Sequence, residues 1–195
     1  MKTCKKLPDS HKGNQIACIE LERSRVLSRL IKVISVVLAA VTFLVGFLIL
    51  PVEALVEMED AFVHLVSLML GMMAVFLIHE LLRGVLMRIF SGVKPIIRYA
   101  GSYPHAACEA YFGRKAQQII NIVPPVITVA MLILSLVVTA DLTWKWMLWL
   151  MLTVGISSFT GDFYVAIRVM HFPEDILVMN VGPTYLIYSA ENTDN

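Results

Sequence analysis

The chain has 195 residues, of which 58% are hydrophobic and 16% charged, against roughly 25% charged in an ordinary soluble domain. That composition points to a membrane protein rather than a water-soluble enzyme. A formal net charge of +1 gives no ground for a nucleic-acid partner, so the partner it implies is the lipid bilayer.

Four apolar stretches, about 33–50, 61–82, 119–140 and 146–167, approach or exceed the roughly 30 Å hydrocarbon thickness at about 1.5 Å per residue. The expected fold is an all-α membrane protein: four transmembrane helices with a small cytoplasmic β-hairpin and tail. Residues 1–32 form a basic N-terminal segment and residues 33–195 a membrane-embedded domain. Eight lysines and arginines precede Val33, none lies from Pro51 to Asp60, and six lie from Arg83 to Lys115. This bias places both termini and the central loop in the cytoplasm, in a multi-pass protein of the plasma or inner membrane. Cys4, Cys18 and Cys108 then face a reducing compartment without C-x-x-C spacing, and no disulfide is expected. The first apolar run is too long for a signal-peptide core and reads as an uncleaved anchor.

Residues 1–15 read as a loose polar tail. From Ile16 to Lys32, apolar residues recur at near-helical spacing among basic ones, which suits a basic amphipathic helix on the inner leaflet or a solvated helix leading into the first span. The second span carries His64 in its outer half and ends in Phe76-Leu77-Ile78-His79-Glu80-Leu81-Leu82-Arg83-Gly84. A histidine and a carboxylate at membrane depth must be paired, metal-bound or wetted, and so mark a candidate site. H-E-L-L-R-G is one residue from H-E-x-x-H, in which two histidines four apart bind zinc and the glutamate activates its water.

In the central loop, 94–100 and 106–112 read as two strands around the turn-rich Gly101-Ser102-Tyr103-Pro104. The third span holds Asn121 and Pro124-Pro125, which predict a kink or a late helix start. The fourth holds small residues at 155–161, then Asp162. Beyond Pro173, short strands are expected at 176–179 and 185–188. The topology puts His79, Glu80 and Asp162 at similar cytoplasmic depth. Zinc there would take His79 and Asp162 as ligands, with Glu80 as general base and sole catalytic residue.

His79-Glu80-Leu81-Leu82-Arg83-Gly84, the Gly101-Ser102-Tyr103 loop, Arg114 to Pro125 and Ser158-Phe159-Thr160-Gly161-Asp162 together resemble the bacterial membrane putative zincin peptidases, distantly similar to site-2-type intramembrane zinc metalloproteases. The resemblance spans about Leu65 to Tyr188. It implies His79 and Asp162 as zinc ligands, Glu80 as base and a membrane-bound peptide or protein as substrate. Arg83 stands where the second histidine ligand is expected, and arginine has no lone pair for a metal.

Two accounts follow. In one, zinc is held with a substitute ligand from His105 or Cys108. In the other, the Arg83 guanidinium takes the charge role of the metal and pairs with Asp162 or Glu80; for Arg83 alone, snorkelling to lipid phosphate is a further reading. The function is then either cleavage of membrane-associated peptides or, in an inactive relative, binding or regulation of membrane partners. A small transporter or immunity-type protein is a third class.

Overall fold

The computed structural model describes residues 3–4, 6–8, 15–21, 24–56, 60–100 and 103–189. The turn at Gly101 and Ser102, Glu57 and Glu59 of the acidic loop, residues 9–14 of the N-terminal tail and the polar end 190–195 lie outside them. In chain order the elements are β1 (Thr3–Cys4), β2 (Gln15–Glu20), α1 (Arg25–Ile49), α2 (Glu53–Val56), α3 (Ala61–Ser91), β3 (Ile96–Ala100), β4 (Tyr103–Gly113), α4 (Arg114–Val138), α5 (Leu142–Ser158), α6 (Thr160–Met170), β5 (Leu177–Asn180) and β6 (Thr184–Tyr188). Four helical stretches, Arg25–Ile49, Ala61–Ser91, Arg114–Val138 and Leu142–Met170, are long and apolar enough to cross a membrane. Large apolar side chains stay exposed along them, including Leu48, Leu70 and Val137. A helix that is apolar on its outer face needs lipid or protein around it.

The chain divides into two compact units, one of residues 1–28, 80–124 and 161–195, the other of 29–79 and 125–160. The first is built on an antiparallel sheet in the order β1-β4-β5-β6-β2, with β3 also paired to β4. The fold is mostly helical, as expected, and the hairpin and tail expected beside the helices are parts of this one small sheet. The central hairpin is present as β3 and β4, with Ile96 opposite Ala107, but β4 continues to Gly113 and pairs onward with β1 and β5.

The tail strands join the same sheet, and Ile16–Glu20 is an edge strand on β6 rather than the start of an amphipathic helix. In β2, Ile19 is buried and Ala17 partly so, while Ile16 and Cys18 are exposed. This is the period-2 pattern of a half-covered strand. Ile19 then joins Val165 and Val169 of α6, Val178 of β5 and Tyr185 and Ile187 of β6 in one core cluster. A second cluster joins Met87 of α3 to Ala106, Ala110 and Phe112 of β4 and Ala116 and Ile120 of α4.

In the other unit, Trp149 of α5 lies against Gly46 of α1, where a Cβ would collide with the indole. Its Nε1 donates to the Thr42 carbonyl at 2.9 Å. Trp146 is fully buried and donates to the Pro51 carbonyl at 2.8 Å. α5 starts at a cap in which the Asp141 carboxylate accepts from the Trp144 N–H at 3.0 Å, satisfying a donor that has no partner inside the helix.

α4 runs unbroken from Arg114 to Val138 through Pro124-Pro125, so the late start expected there does not occur. The fourth apolar stretch is divided at Phe159, where α5 ends, and α6 begins at Thr160 with Asp162 in its first turn. An acidic residue there complements the positive end of the helix dipole.

Candidate functional site

Arg83 of α3 is 4% exposed and makes its contacts inside the first unit. Its Nη1 lies 3.0 Å from Asp162 Oδ1 and 3.7 Å from Glu80 Oε1. Nη2 donates to Asn121 Oδ1 at 3.0 Å and to the Tyr185 hydroxyl. The guanidinium also stands 5.9 Å from the Tyr185 ring centroid. One planar cation thus meets α4, α6, β6 and its own helix, using the several donors of a guanidinium in a way a lysine point charge would not.

Each partner is held in turn. Asn121 and Gln117, one turn apart on α4, are fully buried, and Gln117 Nε2 donates to Asn121 Oδ1 at 3.1 Å. Glu80 is 8% exposed; its Oε2 accepts from the Ala106 N–H of β4 at 2.7 Å, and His105 Nδ1 is 3.9 Å from its Oε1. Gly84, next to Arg83, has the Pro95 ring over it, with Cγ 3.3 Å from where a Cβ would stand. A larger residue would push the entry to β3 away from α3.

Tyr185 is almost wholly buried. Burial pushes its phenol up to about 12, with the Arg83 cation opposing and the Asp162 and Glu80 carboxylates adding to the rise.

The residues singled out in the sequence fall as follows. Glu80, Arg83 and Asp162 belong to the first unit and form one charged group, with the His105 ring of the same unit beside Glu80. Cys108 belongs to it too, but is buried beside Met87 and Phe112, with Sγ 3.7 Å from Ser91 Oγ. His79, the last residue of the second unit along α3, is 4% exposed and stacks on Phe159, with ring centroids 4.4 Å apart. His64 sits in the same unit, its ring 5.0 Å from that of Trp144 and its Nδ1 3.3 Å from the Asp60 carbonyl. Gln117 and Tyr185 have no counterpart in the motif reading. The i, i+4 spacing of Gln117 and Asn121 in an apolar helix was a signal for the first; nothing local marks Tyr185.

A zinc ion does not fit this arrangement. Among the described residues no group of three or more His, Cys, Asp and Glu is close enough to hold a metal. Asp162 Oδ1 lies against Arg83 Nη1 at 3.0 Å. A guanidinium offers no lone pair, and its charge repels a dication.

The family model described as putative zincin peptidase matches residues 72–177, more than half of the chain. It covers Glu80, Arg83, Asn121 and Asp162, and stops before Tyr185. No curated protein and no solved structure matches the chain.

Two outcomes follow from the geometry. Asp162→Ala leaves Arg83 without its closest carboxylate in a buried site and should destabilise the protein by about 3–5 kcal/mol. The double variant Arg83→Met with Asp162→Leu should recover part of that loss, because it removes both charges of the closest pair and leaves Glu80 on the Ala106 N–H. Thermal unfolding in detergent or nanodiscs, with the two single variants alongside, reads this directly; additive losses would mean that the pair is not coupled.

Tyr185 gives a pH signature. Its folded pKa of about 12 lies above the ordinary 10.0, so its contribution is complete below pH 10 and is lost as pH rises through about 12. At about 1.4 kcal/mol per unit this amounts to roughly 2–3 kcal/mol. Tyr185→Phe should therefore flatten the alkaline fall in stability and remove the latest-titrating phenol from the absorbance titration near 295 nm.

Proposed function

The chain belongs to the putative zincin peptidase family, and from that premise we propose that it is a catalytically silent member that binds membrane-associated peptide segments with the Arg83 guanidinium in the charge position of a metal. The single observation that carries this reading is the buried Arg83–Asp162 contact at 3.0 Å, together with the placement of Arg83 at the fifth position of an H-E-x-x-H-like motif. Hydrolysis by a zincin needs a Lewis acid to polarise the carbonyl and a base to deprotonate its water. Glu80 has the chemistry of that base, but it accepts from the Ala106 N–H and faces Arg83. Those contacts hold its negative charge in a structural role.

The experiment is metal analysis. The purified protein should carry well under one zinc per chain, and Arg83→His should raise zinc content by rebuilding the i, i+4 ligand pair. Stoichiometric zinc in the unaltered protein, lost in His105→Ala or Cys108→Ala, would instead establish a peptidase with a substitute ligand.

The arrangement in the membrane is part of the same proposal. The lysine and arginine distribution supports a cytoplasmic location for both termini and for β3 and β4. Single cysteines at positions 55, 102 and 192, introduced after removal of the native ones, test it. An impermeant thiol reagent on intact cells should label position 55 alone, and labelling at 102 would invert the orientation.

A further inference from the structure

Away from the Arg83 cluster, two of the long apolar helical stretches have ends that meet one cleft. α1 begins at Arg25 and α6 ends at Met170, the start and the finish of stretches long and apolar enough to cross a membrane. The cleft has a volume of about 430 Å³, and Glu20, Ser24, Leu27, Tyr164, Arg168 and Phe172 are among the residues that line it. All of them belong to the first unit. At a share of roughly 30 Å³ per water in the liquid, it has room for a polar group far larger than a water.

Arg168 supplies the charge. It is exposed, its guanidinium stands 5.5 Å from the Phe172 ring centroid, and among the described residues it makes no ion pair. A cation held over a ring is positioned without being neutralised. Tyr164 lies one turn earlier on the same face of α6, since residues four apart align on a helix. Ser24 caps α1, its Oγ accepting from the Leu27 N–H at 3.4 Å. A hydroxyl that accepts one hydrogen bond can still donate another. The wall also carries a carboxylate. Glu20 is itself engaged, the Cys18 thiol at 3.9 Å being one of its contacts, and a carboxylate has acceptor sites for several donors.

An exposed arginine by itself is ordinary; the surface around this one is not. Phe163, Ile167 and Met170, at i, i+4 and i+7, form the neighbouring stripe of α6, and all three are exposed, as is Val26 beside Leu27. Exposed apolar side chains flanking a cation at the end of a long apolar helix match the boundary between acyl chains and headgroups. A soluble phosphate would make no use of them.

We infer that this cleft holds the headgroup of phosphatidylethanolamine, with the phosphodiester on Arg168, Tyr164 and Ser24, the ammonium towards Glu20, and the acyl chains along Phe163, Ile167 and Met170. A guanidinium pairs with phosphate oxygens through two parallel donors. One cation and one carboxylate on the wall complement a zwitterion, whereas a headgroup without an amine leaves Glu20 facing a phosphate with no charge between them. The inference does not depend on whether Arg83 excludes zinc, since no residue of that cluster lines the cleft.

The test uses the full chain, purified and stripped of lipid in detergent, and native mass spectrometry to count lipids retained per chain. Phosphatidylethanolamine should bind as a single copy, about tenfold or more tighter than phosphatidylglycerol of the same acyl chains, the difference expected for one charge-assisted hydrogen bond. Arg168→Gln should weaken retention by about tenfold or more on the same ground. Because Arg168 is exposed, this variant should unfold at the same temperature as the unaltered protein when lipid is absent. Glu20→Gln should erase the preference between the two lipids. Glycerophosphoethanolamine, the same headgroup without acyl chains, should give no adduct at those concentrations. Equal retention by Arg168→Gln would put the lipid elsewhere, equal binding of the two lipids by the unaltered protein would remove the role of the amine, and equal binding of the chain-free compound would make this a soluble-phosphate site. Any of the three overturns the inference.

Discussion

The buried Arg83 guanidinium is the constraint on which the first unit depends. Taking a cation out of water costs several kcal/mol after relaxation, and the cost is offset only where opposite charge and polar partners stand against it. Here Asp162 and Glu80 supply the charge, and Asn121 and Tyr185 supply neutral acceptors. Those four side chains come from α6, α3, α4 and β6. Any shift of one element by a residue would leave a buried charge unmatched, so the ion cluster fixes register among elements that apolar packing alone would let slide.

The sheet follows from the same demand. Tyr185 has its hydroxyl on Arg83, while its body sits in the core made by Ile19, Val165, Val169, Val178 and Ile187. A tyrosine is suited to this, with an apolar ring for the core and one polar end. Glu80 ties α3 to β4 through the Ala106 N–H. The residues that would be catalytic in a peptidase are thus used to bond helices to the sheet. An arginine from the neighbouring turn contacts both carboxylates.

Binding without hydrolysis is a coherent function for such a design. A zincin site needs an open coordination position and a water, whereas a recognition site needs only fixed donors and a shaped surface.

What the sequence by itself determined is the part that depends on local composition. Runs of apolar residues longer than a bilayer's thickness made the four long helices legible, because helix length and side-chain solvation are short-range properties. The ionisable residues in or at the end of those runs, His79, Glu80, Arg83 and Asp162, were legible as site candidates because a charge inside an apolar run calls for a partner. The strands at 96–100 and 177–188 could be read from β-branched and aromatic residues between turn signals.

The sheet as a whole could not. Whether Ile16–Glu20 is helix or strand was decided by β6, which offers it a ladder of hydrogen bonds and a half-buried face. Nothing within six residues carries that information. Likewise Tyr185 meets Arg83 across 102 positions of sequence, and the choice of Asp162 as the closest carboxylate to the guanidinium rests on where α6 begins after the break at Phe159. Long-range pairing and the placement of one charge against another are tertiary quantities. They were settled by the requirement that a buried cation meet opposite charge and polar acceptors.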